Sequence, residues 1–120
     1  MNGTAIFESD RRFSIHSYTW GHGMLLFRSG KTNDLKTRID VVFTDVRAMD
    51  VRAWTDGLTI EKTDAKQLEG YRSNPAEMIE IGNIVYLVSG VGRQGFIVGG
   101  GCFFKEDELN INDPSGLLSS

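Results

Sequence analysis

Residues 37–63, TRIDVVFTDVRAMDVRAWTDGLTIEKT, decide how this chain is read. Ile39, Val41 and Phe43 alternate with Arg38, Asp40 and Thr44, the period-two pattern of a strand with one buried face. Asp56-Gly57 stands between two further alternating runs. Such a pair tolerates positive φ at both central positions of a type I′ turn, so the stretch predicts a two-residue hairpin. In that register Thr55 faces Leu58, Ala53 faces Ile60 and Val51 faces Lys62, while Trp54, Arg52 and Asp50 share the other face with Thr59, Glu61 and Thr63. Arg52 then lies across from Glu61, a charge pair worth ~0.2–1 kcal/mol. Between Phe43 and Met49 the apolar parity breaks, which a bulge or bend near Asp45-Val46 would repair.

On the N-terminal side, residues 12–19 alternate with Phe13 and Ile15 on one face, then meet the turn Trp20-Gly21-His22-Gly23. Residues 24–28, MLLFR, resume as an apolar run suited to a buried strand, and a polar loop follows at 29–34. On the C-terminal side, Gly82-Asn83 separates Ile79-Glu80-Ile81 from Ile84-Val85-Tyr86-Leu87-Val88, a second predicted hairpin. Residues 95–104 read as a further strand interrupted by Gly99-Gly100-Gly101, at a bulge or barrel corner. Asp64 to Gln67 and Asn74 to Glu77 carry helix-start spacings, each good for a turn or two. The expected class is all-β: an antiparallel barrel or two-layer sandwich of about eight strands with one or two short helical turns.

A chain of 120 residues fits one core, so residues 1–120 form a single domain, with 105–120 expected as a loosely packed tail. A net charge of −3 argues against a nucleic-acid partner, since neutralising phosphates needs surplus Lys and Arg on one surface. Cys102 is the sole cysteine, which excludes an internal disulfide and a four-cysteine zinc site. No stretch approaches the ~20 apolar residues of a membrane span, and the N-terminus lacks a leader pattern, so the expected location is the cytoplasm.

Several motifs fail their context tests. Gly90-Val91-Gly92-Arg93-Gln94-Gly95 fits G-x-G-x-x-G, but Phe96-Ile97-Val98 and three glycines follow where a nucleotide fold needs a helix. It reads as a hairpin connection. Gly30-Lys31-Thr32 lacks the earlier glycine of a phosphate-binding loop. His16 and His22 have no spacing that adds a third metal ligand, and the acidic residues 106–113 depart from a calcium loop. Nothing sets a nucleophile beside a base, so no catalytic residue, metal or cofactor is assigned.

What remains is aromatic. Tyr18, Trp20 and His22 gather near the first turn, and Arg52 and Trp54 occupy the polar face of the predicted central hairpin. Large rigid side chains and arginine are the composition of protein-contact hot spots, which makes these five the candidate protein-binding residues. The segments GMLLFRS at 23–29, RIDVVF at 38–43 and GLTI at 57–60 resemble uncharacterised all-β bacterial proteins, including immunity proteins of toxin loci. That resemblance implies a non-catalytic binding module, an immunity-type inhibitor acting on a protein partner. A Gly-rich β chain with open strand edges could also use the same aromatic face to pair with itself as a homodimer. A small apolar-ligand carrier, its interior lined by Phe13, Leu26, Phe43, Ile60 and Phe96, is the alternative, and a small enzyme the third.

Overall fold

A computed structural model describes residues 4–64 and 83–117, and within them the chain forms eight strands and no helix. They are β1 (Thr4–Thr19), β2 (Met24–Ser29), β3 (Arg38–Thr44), β4 (Ala48–Asp50), β5 (Trp54–Thr63), β6 (Ile84–Gly90), β7 (Arg93–Gly99) and β8 (Gly101–Asp107). All pair antiparallel in one sheet, in the order β4-β7-β6-β5-β1-β2-β3-β8. The expected all-β class is therefore observed. The ladder has two ends, β4 and β8, and is not closed by hydrogen bonding into a barrel. The predicted helical turns and the 79–82 half of the second hairpin lie outside the described residues, as do the chain ends. Among the described residues no helix is long and apolar enough to cross a membrane.

The first turn follows the sequence reading. β1 and β2 form a hairpin with Thr19 opposite Met24, and β2 pairs in turn with β3, Leu25 opposite Phe43. The Asp56-Gly57 reading is corrected. These residues lie inside β5, which runs unbroken from Trp54 to Thr63 and pairs with β1 on one side and β6 on the other. Gly57 does take positive φ, 80°, but at a bulge: Ser9 is opposite Leu58 and Arg12 opposite Asp56, so Asp10 and Arg11 together face Gly57. Glycine alone takes that φ without strain, so Asp-Gly serves a bend in a long strand as well as it serves a turn. Arg52 consequently sits before β5 instead of across from Glu61, whose neighbours are Ala5 and Leu87.

Asp45 supplies the bend expected there, with φ of 49°. β3–β4 and β7–β8 run antiparallel past one another, Thr44 opposite Gly101 and Ala48 opposite Val98. Across the bend Gly100 N donates to Thr44 O at 2.8 Å and Arg47 N donates to Val98 O at 2.8 Å. One face of the sheet packs Phe13, Phe27, Phe43, Ile60, Tyr86 and Ile97 into the main core. Phe43 meets Phe27 and Tyr86 edge-on, with centroids 6.2 and 5.3 Å away. A small pocket beside Phe27, Val88 and Gly95 measures about 20 Å³, the room of one water. Leu26 and Phe96 are also buried but point the other way from Phe13, Phe43 and Ile60, because their strand neighbours Phe27 and Ile97 face the core.

Candidate functional site

The outer face of β2 and β3 holds the most unusual chemistry. Arg28, Arg38 and Asp40 alternate with core residues, so they point away from the core, yet all three are buried. Residues 108–117 follow β8 and cross this face. Arg28 grips Asp40 in a two-pronged pair, Nε to Oδ1 at 2.6 Å and Nη2 to Oδ2 at 3.1 Å. Arg38 grips Asp107 the same way, at 3.0 and 2.9 Å, and its Nη2 is 3.7 Å from Asp40. Two cations and two anions thus alternate along one line, and the charges cancel. Arg38 holds Asp107 below the usual carboxylate range through these hydrogen bonds.

The line ends at His16. β1 carries an extra residue there, since Ile15 is opposite Phe27 and Ser17 opposite Leu26, and the bulge aims the imidazole at Arg28. Arg28 Nη1 donates to His16 Nε2 at 3.1 Å and also donates to the carbonyl of Ile111. The acceptor nitrogen carries no proton, which places the ring hydrogen on Nδ1. Partial burial, then the charges of Arg28 and Arg38, push the His16 pKa below its usual value, with Asp40 opposing. Because the folded pKa is the lower, the unfolded chain binds this proton more readily. Stability is complete above the unfolded value near 6.5 and falls as pH drops through the folded one. An NMR titration is expected to show His16 protonating below pH 6.5, and His16→Gln to flatten the acid side of the stability profile. A His16 midpoint at or above that value contradicts the geometry.

The five aromatic-cluster residues are all at least partly exposed, but they do not form one patch. Trp20, on the turn after β1, is 84% exposed. His22 shares that turn, its N–H donating to Thr19 O at 3.0 Å. Tyr18 is opposite Leu25 and so continues the core face at its rim, whereas Trp54 is opposite Ser14, whose other neighbour is Arg28 on the outer face. The His16 bulge causes this split by reversing the parity of β1. Trp54 does have an arginine, but it is Arg12: the guanidinium lies 4.4 Å over the indole ring and its Nε donates to Asp56 at 2.7 Å. Arg52 stands beside the small pocket with Val51, Thr55 and Arg93.

Sequence reading missed Arg28, Arg38, Asp40 and Asp107. On a strand they look like an ordinary solvated face; the only signal was an Arg-x-Asp spacing at 38–40 with a second Arg on the neighbouring strand. Cys102 lies on the core face opposite Phe43, and burial pushes its thiol up to about 12, so it is a poor nucleophile. Among the described residues no group of three His, Cys, Asp or Glu could hold a metal ion. No family model, curated protein or solved structure matches the chain.

Proposed function

We propose that the chain is a non-catalytic binding module acting in the cytoplasm, with a protein as its partner, as the immunity-type resemblance implies. We read its one bent sheet as a barrel-like shell, in which the β3–β4 and β7–β8 bends bring the two ends of the sheet towards each other. The observation that carries the functional reading is Trp20. An indole left 84% in water at the tip of a hairpin contributes little to the fold and offers a large, rigid contact area. The Trp54–Arg12–Asp56 stack adds a second amphipathic anchor on the outer face. The neutral Arg28–Asp40–Arg38–Asp107 line supports a scaffold role for that face, since each charge already has its partner.

Affinity capture with the wild-type chain, followed by measurement of Kd with the identified partner, tests the reading. Trp20→Ala should leave Tm nearly unchanged and weaken binding by ~2 kcal/mol or more, about thirtyfold in Kd. Equal affinity for Trp20→Ala and wild type rejects this contact.

A further inference from the structure

Beside the Arg28–Asp40 pair, β1, β2 and the loop after β2 bound a groove of about 600 Å³, the size of a small-molecule site. Among the described residues every titratable side chain that lines it is basic, Arg12, His16, Arg28 and Lys31, although the chain as a whole carries a net charge of −3. The carboxylates that pair with its arginines, Asp40 and Asp56, do not line it. Ile15, Leu35 and Ile111 give it an apolar side. Its shape is held from within: Ile111 gives its carbonyl to Arg28 and packs over Gly30, where a β-carbon would stand 2.5 Å from the isoleucine Cδ1. Arg12 and Ser14 pair with the Trp54 end of β5, whereas the chain leaves the described residues past the Thr63 end, roughly 30 Å of strand away.

The polar groups of this groove have spent their acceptors and kept their donors. His16 Nε2 accepts from Arg28, which leaves Nδ1–H to donate. Thr32 Oγ1 accepts from the N–H groups of Asp34 and Leu35 at 3.2 and 3.0 Å, which uses its lone pairs and leaves the hydroxyl hydrogen to donate. Arg12 gives Nε and Nη2 to Asp56 and keeps Nη1. Lys31 is exposed, and among the described residues none accepts from its ammonium. Donors in surplus around one space, with positive charge among them, are matched by a group that only accepts. We propose that the groove binds a small organic oxyanion, a phosphate or carboxylate head on an apolar body. The head accepts from Lys31, Thr32 and His16, Arg12 adds its remaining N–H groups, and the body lies against Ile15, Leu35 and Ile111. Arg28, whose own donors go to Asp40, His16 and Ile111, is a positioning residue that fixes the His16 tautomer. The site stands apart from the Trp20 contact and does not depend on it.

An NMR titration of the full chain with phenyl phosphate, benzoate and phenol tests the site. One or both anions should bind saturably in the high-micromolar to millimolar range, with amide shifts centred on residues 12–16 and 28–35, and the tighter of the two names the head group. Phenol, the same ring without an anionic head, should not saturate. Lys31→Glu should weaken binding roughly tenfold or more, because a cationic donor becomes a repelling acceptor. Lys36→Glu makes the same charge change at an exposed position outside the groove and should weaken binding about twofold at most. Both side chains are exposed, so both variants should keep the wild-type Tm. No saturable binding of either anion, saturation by phenol at the same concentrations, shifts centred away from the groove, or equal losses for Lys31→Glu and Lys36→Glu each overturns the proposal. The wild-type titration needs no variant and can reject the site alone.

Discussion

Asp40→Ala is expected to cost ~3–5 kcal/mol of stability, because it leaves a buried guanidinium without its carboxylate. Asp40 is 1% exposed and both its oxygens accept from Arg28, which is itself buried. Arg38 keeps Asp107 in the variant, but Arg28 keeps only the His16 nitrogen and one carbonyl. A domain of this size has ~5–15 kcal/mol in all, so the loss is a large fraction of the total. On the scale of a few degrees per kcal/mol, Tm should fall by on the order of 15 °C. The comparison with Arg28→Met/Asp40→Leu is informative. Removing both charges together avoids the stranded cation, so the double variant should be more stable than Asp40→Ala despite carrying one more substitution. Urea unfolding of the three chains decides the matter; a loss under ~1 kcal/mol for Asp40→Ala would mean the pair is effectively solvated.

Gly95→Ala should also destabilise, by ~1–3 kcal/mol, for a steric reason. A β-carbon at position 95 would stand 2.0 Å from the carbonyl oxygen of Asp50 and 3.2 Å from its carbon. Both are backbone atoms, so no side-chain rotation relieves the contact and β4 must move away from β7. β4 has only three paired residues to hold it, Ala48 to Asp50. Amide hydrogen exchange at those residues is expected to speed up more than exchange in β2 or β3. Unchanged exchange in β4 together with full stability would contradict the packing. The same observation accounts for the G-x-G-x-x-G spacing: its last glycine admits a neighbouring strand, while Gly92, with φ of 73°, serves the β6–β7 turn.

Periodicity made β2 and β3 legible, because Leu25, Phe27, Val41 and Phe43 mark a core face whatever the partner strands are. It also located the Trp20–Gly23 turn and the bend at Asp45, where local chemistry leaves few options. Asp56-Gly57 was misleading because positive φ at glycine satisfies a turn and a bulge equally. The choice lies with β1, more than forty residues earlier, and no local pattern reports that pairing. The buried charges were illegible for a related reason. Alternation says that Arg38 and Asp40 share a face, but not that residues 108–115 cover it. The aromatic cluster was divided by a single extra residue at His16, which changes the side on which Tyr18 emerges and leaves no trace in composition.

Arg38 has a consequence for how this protein can vary. Its Nη1 donates to the carbonyls of Asn110 and Asp113, at 2.9 and 2.7 Å, and its Nη2 to that of Pro114 at 3.3 Å. A guanidinium that reads main-chain oxygens is blind to the side chains that carry them. Substitutions at positions 110 and 114 that keep the backbone path leave the hold intact. Deleting a single residue between Asp107 and Asp113 displaces the downstream carbonyls relative to a donor fork whose geometry is rigid. The segment is therefore constrained in length far more than in identity, and tolerance to exchange should coexist there with intolerance to insertion or loss.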